Sequence, residues 1–422
     1  MTALIITVFI AGYLAIALEY PLKLNKAATA LLTGVLCWTI LILSTPDKES
    51  INEQLLHHFG EIASILFFLL GAMTIVELID IYDGFAIITG KIKTKSKVKL
   101  LWIIAVLTFF LSALLDNLTT AIVMTSLITK ILDDKNDRFW FTCMVIIAAN
   151  AGGAFSPLGD VTTTMLWIGG QITAQNIIVH LFLPSLAVCL VPLLIISNKF
   201  RKQKFEAAAP VELSAVNRSE ANFILILGIT LLLFVPVFKT VTHLPPFMGV
   251  LMSLSLLWVT VSFIHFNKPH KERKRYTVTH ALQKIDSPSI LFFLGILLAV
   301  SALQSYGILK QMADFLTASL GNVYLIGTAL GIISAIVDNV PLVAAAQGMY
   351  DLSSFPTDHD FWKFLALTTG TGGSSIIIGS AAGVAAMGIE KIDFIQYLKK
   401  ITWIALAGFA AGIAVFMLQT LL

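Results

Sequence analysis

Two polar pairs stand in the most apolar parts of the sequence. Asp116-Asn117 lies within "LSALLDNLTTAIVM" (111–124) and Asp338-Asn339 within "SAIVDN" (334–339). A carboxylate can hold a proton or a hard cation, and an amide carbonyl beside it adds an oxygen ligand suited to Na⁺ or Li⁺. An ionisable group at the centre of a bilayer costs at least about 2.5–3.5 kcal/mol, so it reads as functional by default. A third acid, Asp160, sits in "ANAGGAFSPLGDVTTTM" (149–165) with Asn150, Thr162 and Thr163 around it. Desolvation disfavours a carboxylate's charge, so an aspartate withdrawn from water is poised to hold either H⁺ or a metal ion. Exclusive occupancy by one or the other is the chemistry of exchange.

Other residues are weaker candidates. Thr119 and Thr120 add hydroxyls after the first pair, where the second has Val340-Pro341-Leu342. Ser112 and Ser334 each stand five residues before an Asn, although a serine in a membrane helix commonly bonds its own i−4 carbonyl. "TTGTGGSSIIIGSAAG" (368–383) supplies Thr369, Thr371, Ser374 and Ser375 but no acid. The asparagines also suit helix capping. Glu77 and Asp80 read as interfacial, with Glu77 a candidate for a proton path. Glu61, His57 and His58 read as a solvated outer loop that could sense pH.

The elements that must position these groups are membrane helices. Of 422 residues, 57% are hydrophobic and 13% charged. Soluble domains carry about 25% charged residues, so the chain is expected to be an all-α polytopic membrane protein. Spans of about 20 apolar residues are predicted at 2–18, 27–45, 61–81, 139–168, 176–197, 220–239, 246–266, 289–305, 361–389 and 401–421, ten crossings in all. The first lacks a basic n-region and cleavage site and reads as a retained helix. Cys37, Cys143 and Cys189 lie in apolar runs without paired spacing, which indicates packing rather than a disulfide framework or metal site. Without a G-x-x-x-x-G-K-[ST] motif, ATP is not expected as energy source. Without a TVGYG filter, a potassium-type channel is not expected either. No enzyme activity, cofactor or nucleic-acid partner is expected.

Basic loops mark the cytoplasmic side. "KIKTKSKVK" (91–99), "NKFRKQK" (198–204) and "NKPHKERKR" (267–275) should lie inside, and acidic "DLSSFPTDHD" (351–360) outside. That count works only if 100–132 and 322–350 enter and leave on one side, as re-entrant hairpins with Asp116-Asn117 and Asp338-Asn339 at their tips. Both termini then fall outside the cytoplasm. Two halves result, 1–197 and 220–422, joined by a cytoplasmic linker at 198–219. "ILFFLLG" (65–71) parallels "ILFFLG" (290–295), "SALLDN" (112–117) parallels "SAIVDN" (334–339), and "NAGGAFSPLGD" (150–160) parallels "GTGGSSIIIGS" (370–380). The halves start their hairpins from opposite sides, an inverted-topology repeat of the kind secondary transporters use. Gly152, Gly153, Pro157 and Gly159 predict an unwound segment inside 139–168, matched by a second interrupted helix at 361–389. The glycines would also serve close helix packing.

These motifs carry a resemblance. "LLDNLTT", "NAGGAFSPLGDVTT", "IVDNVP" and "TGTGGS" resemble the NhaD-type sodium/proton antiporters of the ion transporter superfamily, over nearly the whole chain. That superfamily also includes arsenite exporters and dicarboxylate/sodium symporters. The resemblance implies that Asp116, Asn117, Asn150, Asp160, Thr162, Thr163, Ser334, Asp338, Asn339 and Ser374 serve Na⁺ or Li⁺ exchange for H⁺. Asp116, Asn117, Asp338 and Asn339 would be the metal-ion ligands. It also implies a homodimer in a bacterial-type inner membrane, with hairpins and interrupted helices moving against a scaffold. The dicarboxylate relatives have Ser-Asn-Thr where this chain has Asp-Asn, and acids at both tips would repel a dianion. The alternative is a sodium-coupled transporter of a small anion, dicarboxylate or arsenite-like, with the acids binding only the coupling ion.

Overall fold

The computed structural model describes residues 2–17, 19–85, 94–201, 203, 218–266 and 276–421. Of the basic segments used for orientation, 91–93, residues 202 and 204, and all of 267–275 lie outside the described residues, as does 205–217 of the linker. The rest is all-helical, as apolar composition in a bilayer demands: a helix satisfies every backbone group within itself. The first longer helices are α1 (Thr2–Ala17), α2 (Lys26–Ser44) and α3 (Lys48–Ile81). There follow α4 (Lys97–Leu115), α5 (Asn117–Ile131), α6 (Lys135–Ala154), α7 (Val161–Ile168) and α8 (Ala174–Lys199). Then come α9 (Arg218–Thr242), α10 (Pro246–Ile264), α11 (Ser287–Ser305) and α12 (Ile308–Leu320). The last are α13 (Val323–Ile333), α14 (Asn339–Met349), α15 (Asp360–Gly372), α16 (Ala381–Glu390) and α17 (Thr402–Leu421).

Eight described helices are long and apolar enough to cross a membrane, or nine if α12 and α13, bent by 115°, form one span. The expected ten differ for identifiable reasons. The 16-residue α1 falls short. The runs 139–168 and 361–389 are each broken in two, so neither is a single helix. Conversely, α4 qualifies alone, because it recruits Lys97–Lys99 behind a Ser96 cap and reaches 19 residues. It was expected only as one arm of a hairpin; α4 and α5 do pack on each other across the Asp116 junction, but as unequal arms.

The largest correction concerns α3. It runs 34 residues, about 51 Å at 1.5 Å per residue, well beyond a core of about 30 Å. His57, His58 and Glu61 are therefore helical rather than in a loop, and His58 Nδ1 stands 3.3 Å from Glu61 Oε2. Their segment reads as a loop because it is polar. Yet "KESINEQLLHHFGE" holds no Pro, its one Gly60 is tolerated, and Asp47 caps it by accepting from Ser50 N.

Helices α1–α3 and α9–α11 pack on one another, α4–α8 and α13–α17 form a second group, and the two groups meet where α14 packs on α11 and α7 on α3. Within the second group the contacts come in matching pairs. Helix α4 packs on α6 as α13 packs on α15, α6 on α8 as α15 on α17, and α5 on α16 as α14 on α7. Close approach is enforced by glycine at matching places. A Cβ on Gly152 would stand 2.1 Å from Phe109 O, and one on Gly372 2.1 Å from Gly331 O. The three cysteines are buried and free.

Candidate functional site

The site forms where helices stop. Helix α6 ends at Ala154, Pro157 offers no N–H to continue it, and α7 begins only at Val161. Ser156 Oγ ties the break to the preceding hairpin by donating to Ala113 O at 2.5 Å. In the matching stretch 361–389, α15 ends at Gly372, a 3₁₀ turn spans Ile377–Gly379, and α16 starts after Ser380. Serines tie both breaks to the helix before them. Ser112 Oγ donates to Ala149 O at 2.6 Å, and Ser334 Oγ shares its proton between Gly331 O of its own helix at 2.8 Å and Thr369 O at 3.0 Å.

Four short helices therefore begin at the centre: α5, α7, α14 and α16. Each N-terminus exposes unpaired N–H groups and the positive end of its dipole. Each is capped by its own side chain. Asp116 accepts from Thr119 N at 2.7 Å, Asp160 from Thr162 N at 2.9 Å, Asp338 from Val340 N at 3.1 Å and Ser380 from Gly383 N at 3.1 Å.

The caps do not play equal parts. Asp116 and Asp338 are half-buried, whereas Asp160 is 2% exposed. Asp116 also accepts from Thr119 Oγ at 2.8 Å, at a positive φ of 79°. Asp160 instead gathers both halves of the chain. Asn117 Nδ2 donates to its Oδ2 at 2.7 Å, and Asn339 Nδ2 donates to the same oxygen at 3.2 Å. Asn117 also donates to Asn150 Oδ1 at 3.1 Å, and Asn150 Nδ2 donates to Ser374 Oγ at 2.8 Å and Ser380 Oγ at 2.9 Å. The result is a buried network of one carboxylate, three amides and two hydroxyls. At each tip the acid caps its helix and the neighbouring asparagine turns inward.

A cavity of about 20 Å³, room for about one water, touches Asp116 and Asp160 on the side facing α3 and α9, between Phe68, Met73, Val76 and Leu232. Thr120 Oγ1 is buried near the tip without a hydrogen-bond partner among the described residues. Thr162 Oγ1 is likewise buried without a hydrogen-bond partner among the described residues. Two other candidates are committed elsewhere: Thr163 Oγ1 donates to Ser156 O at 2.7 Å and Thr371 Oγ1 to Leu367 O at 2.6 Å. Glu77 pairs with Lys284 at 3.3 Å, away from the network. Among the described residues no group of three His, Cys, Asp or Glu could hold a metal ion.

The residue that sequence reasoning missed is Ser380. The signal was present: in the two parallel stretches the offset of 220 that carries Asn150 to Gly370 carries Asp160 to Ser380.

Comparison with known proteins gives this geometry a family. The citrate transporter (CitMHS) family model matches residues 13–370. Sodium/proton antiporter 2 of Arabidopsis thaliana is 46% identical, covering 96% of this chain and 97% of its own length. The chain belongs to this transporter family. Sodium/proton antiporter 1 of the same plant is 48% identical over 96% of this chain and 70% of its own length. The Na(+)/H(+) antiporter NhaD of Alkalimonas amylolytica is 31% identical over 97% of this chain and 89% of its own. As a family member the chain is an integral membrane transporter, of NhaD type by these relatives, and not an enzyme. The network around Asp160 is accordingly a candidate transport site.

Proposed function

We propose that this chain exchanges Na⁺ or Li⁺ for H⁺ by alternating access, with Asp160 holding either the proton or the cation. The observation that carries the reading is the convergence of Asn117 and Asn339, one from each half, on that one buried carboxylate. An amide side chain presents N–H on one edge and a carbonyl oxygen on the other. The same pair that solvates an empty carboxylate can therefore turn oxygen toward a bound Na⁺. If both the protonated and the cation-bound forms permit the change of access, and the empty charged form does not, the two ions must exchange.

The family model's description names citrate, so the anion reading has a specific basis. The helix N-termini weigh against it. In an anion carrier such termini face the substrate's charge. Here three of the four meet an aspartate belonging to the protein itself and the fourth meets Ser380. A dianion would approach three carboxylates.

The matching helix contacts and the parallel motifs support two inverted repeats, 1–197 and 220–422, about the linker 198–219. We extend the reading to a homodimer in a bacterial-type inner membrane with both termini outside the cytoplasm. Everted vesicles test the exchange: Na⁺ or Li⁺ should collapse an imposed pH gradient with no organic solute present. A gradient unaffected by either cation, together with citrate uptake, would replace this reading with the anion one.

A further inference from the structure

The network has a direction, and its far end lies in the second half of the chain. Starting at Asp160, which as a carboxylate only accepts, Asn117 must offer an N–H. Asn117's other N–H goes to Asn150 Oδ1, and both N–H groups of Asn150 go to Ser374 Oγ and Ser380 Oγ. The oxygen edge of every amide in this chain is thereby fixed. The chain ends on the two side chains able to reverse it, because a serine hydroxyl donates as readily as it accepts. If Asp160 is neutralised by a proton or a cation, Asn117 can present oxygen to it. Asn150 then presents N–H to Asn117 and oxygen to the serines, with the hydrogen bonds kept.

We propose that Ser380, acting with Ser374, is a positioning residue that terminates this reversible chain and so sets which edge of Asn117 faces Asp160. The inference rests on the exchange reading and deepens it. It also accounts for the difference between the copies. At the position matching Asp160, a second aspartate would cap α16 equally well but could only accept, and would hold Asn150 in one orientation. Serine caps the helix and still permits reversal. Asn150, Ser374 and Ser380 are at most 2% exposed, and the water-sized cavity beside Asp160 does not reach them, so water does not offer them a substitute partner.

Na⁺-dependent thermal stabilisation of the purified protein reads cation binding without needing transport. Ser380→Ala should raise the half-stabilising Na⁺ concentration about five-fold, the value of one lost hydrogen bond. Ser380→Thr, which keeps the hydroxyl, should restore it. In an Asn150→Ala background the Ser380→Ala change should add less than about two-fold, because both act through the same amide. A loss of the cap alone would act equally in both backgrounds. Ser374→Ala, which caps nothing, carries the same prediction should Ser380→Ala not fold, and Asn150→Ser replaces Asn150→Ala on the same ground. An equal shift in both backgrounds, or no shift in either, overturns the proposal. Failure of the unmodified protein to be stabilised by Na⁺ or to dissipate a pH gradient would instead remove the exchange reading.

Discussion

The two helix breaks are built alike and charged differently. Each is tied by a serine to the helix before it, each depends on glycine against a backbone carbonyl, and each ends in a side-chain cap. The first cap is Asp160; the second is Ser380. Matching packing thus supplies two similar frames, and the proposed exchange chemistry is assigned to one of them. On the proposed reading the difference teaches that backbone architecture and ion chemistry are separable: matching glycines make the frame, and one carboxylate would make the site.

Removing that carboxylate should have the largest effect. Asp160→Asn should lower exchange on the order of 100-fold or more, the scale on which metal-site substitutions act, measured as Na⁺-dependent collapse of a pH gradient in everted vesicles. Moving the acid to the other frame sharpens the comparison. The Asp160→Ser, Ser380→Asp double variant should remain about as inactive, because Asn117 and Asn339 both aim at position 160 and neither reaches 380. Recovery of exchange would make the two breaks interchangeable.

The tip acids come next. Asp116→Asn and Asp338→Asn keep a side chain that caps well, so each should cost only about five-fold in exchange, from weakening a charge-assisted hydrogen bond. Effects as large as that of Asp160→Asn would place them in the site itself. The frames should respond equally and without regard to ions. Gly152→Ala and Gly372→Ala each drive a Cβ to 2.1 Å from a carbonyl oxygen. Each should destabilise by about 1–3 kcal/mol, read as a lower melting temperature in detergent.

Much of this was legible in the sequence, and the gaps have physical causes. Gly152, Gly153 and Pro157 announce a broken helix because neither residue type sustains one. The pairs Asp116-Asn117 and Asp338-Asn339 announce a functional centre because charge in hydrocarbon needs a reason. Which member of each pair faces inward was not legible. It depends on the side chain bonding its own helix start, as Asp116 does with Thr119. Ser380 escaped notice because a serine among small residues looks like packing, and only its register opposite Asp160 distinguishes it. The length of α3 was hidden because its first half is polar, and polarity alone does not separate a loop from an exposed helix.

The central claim is that H⁺ and Na⁺ compete for one carboxylate, and proton release measures it directly. NaCl added to the purified, weakly buffered protein near the pH of half-maximal exchange should acidify the solution, with an equal concentration of choline chloride as control. The account predicts saturable acidification in the native protein and none in Asp160→Asn. Acidification of the same size in Asp160→Asn would contradict it, because the proton would then come from another group.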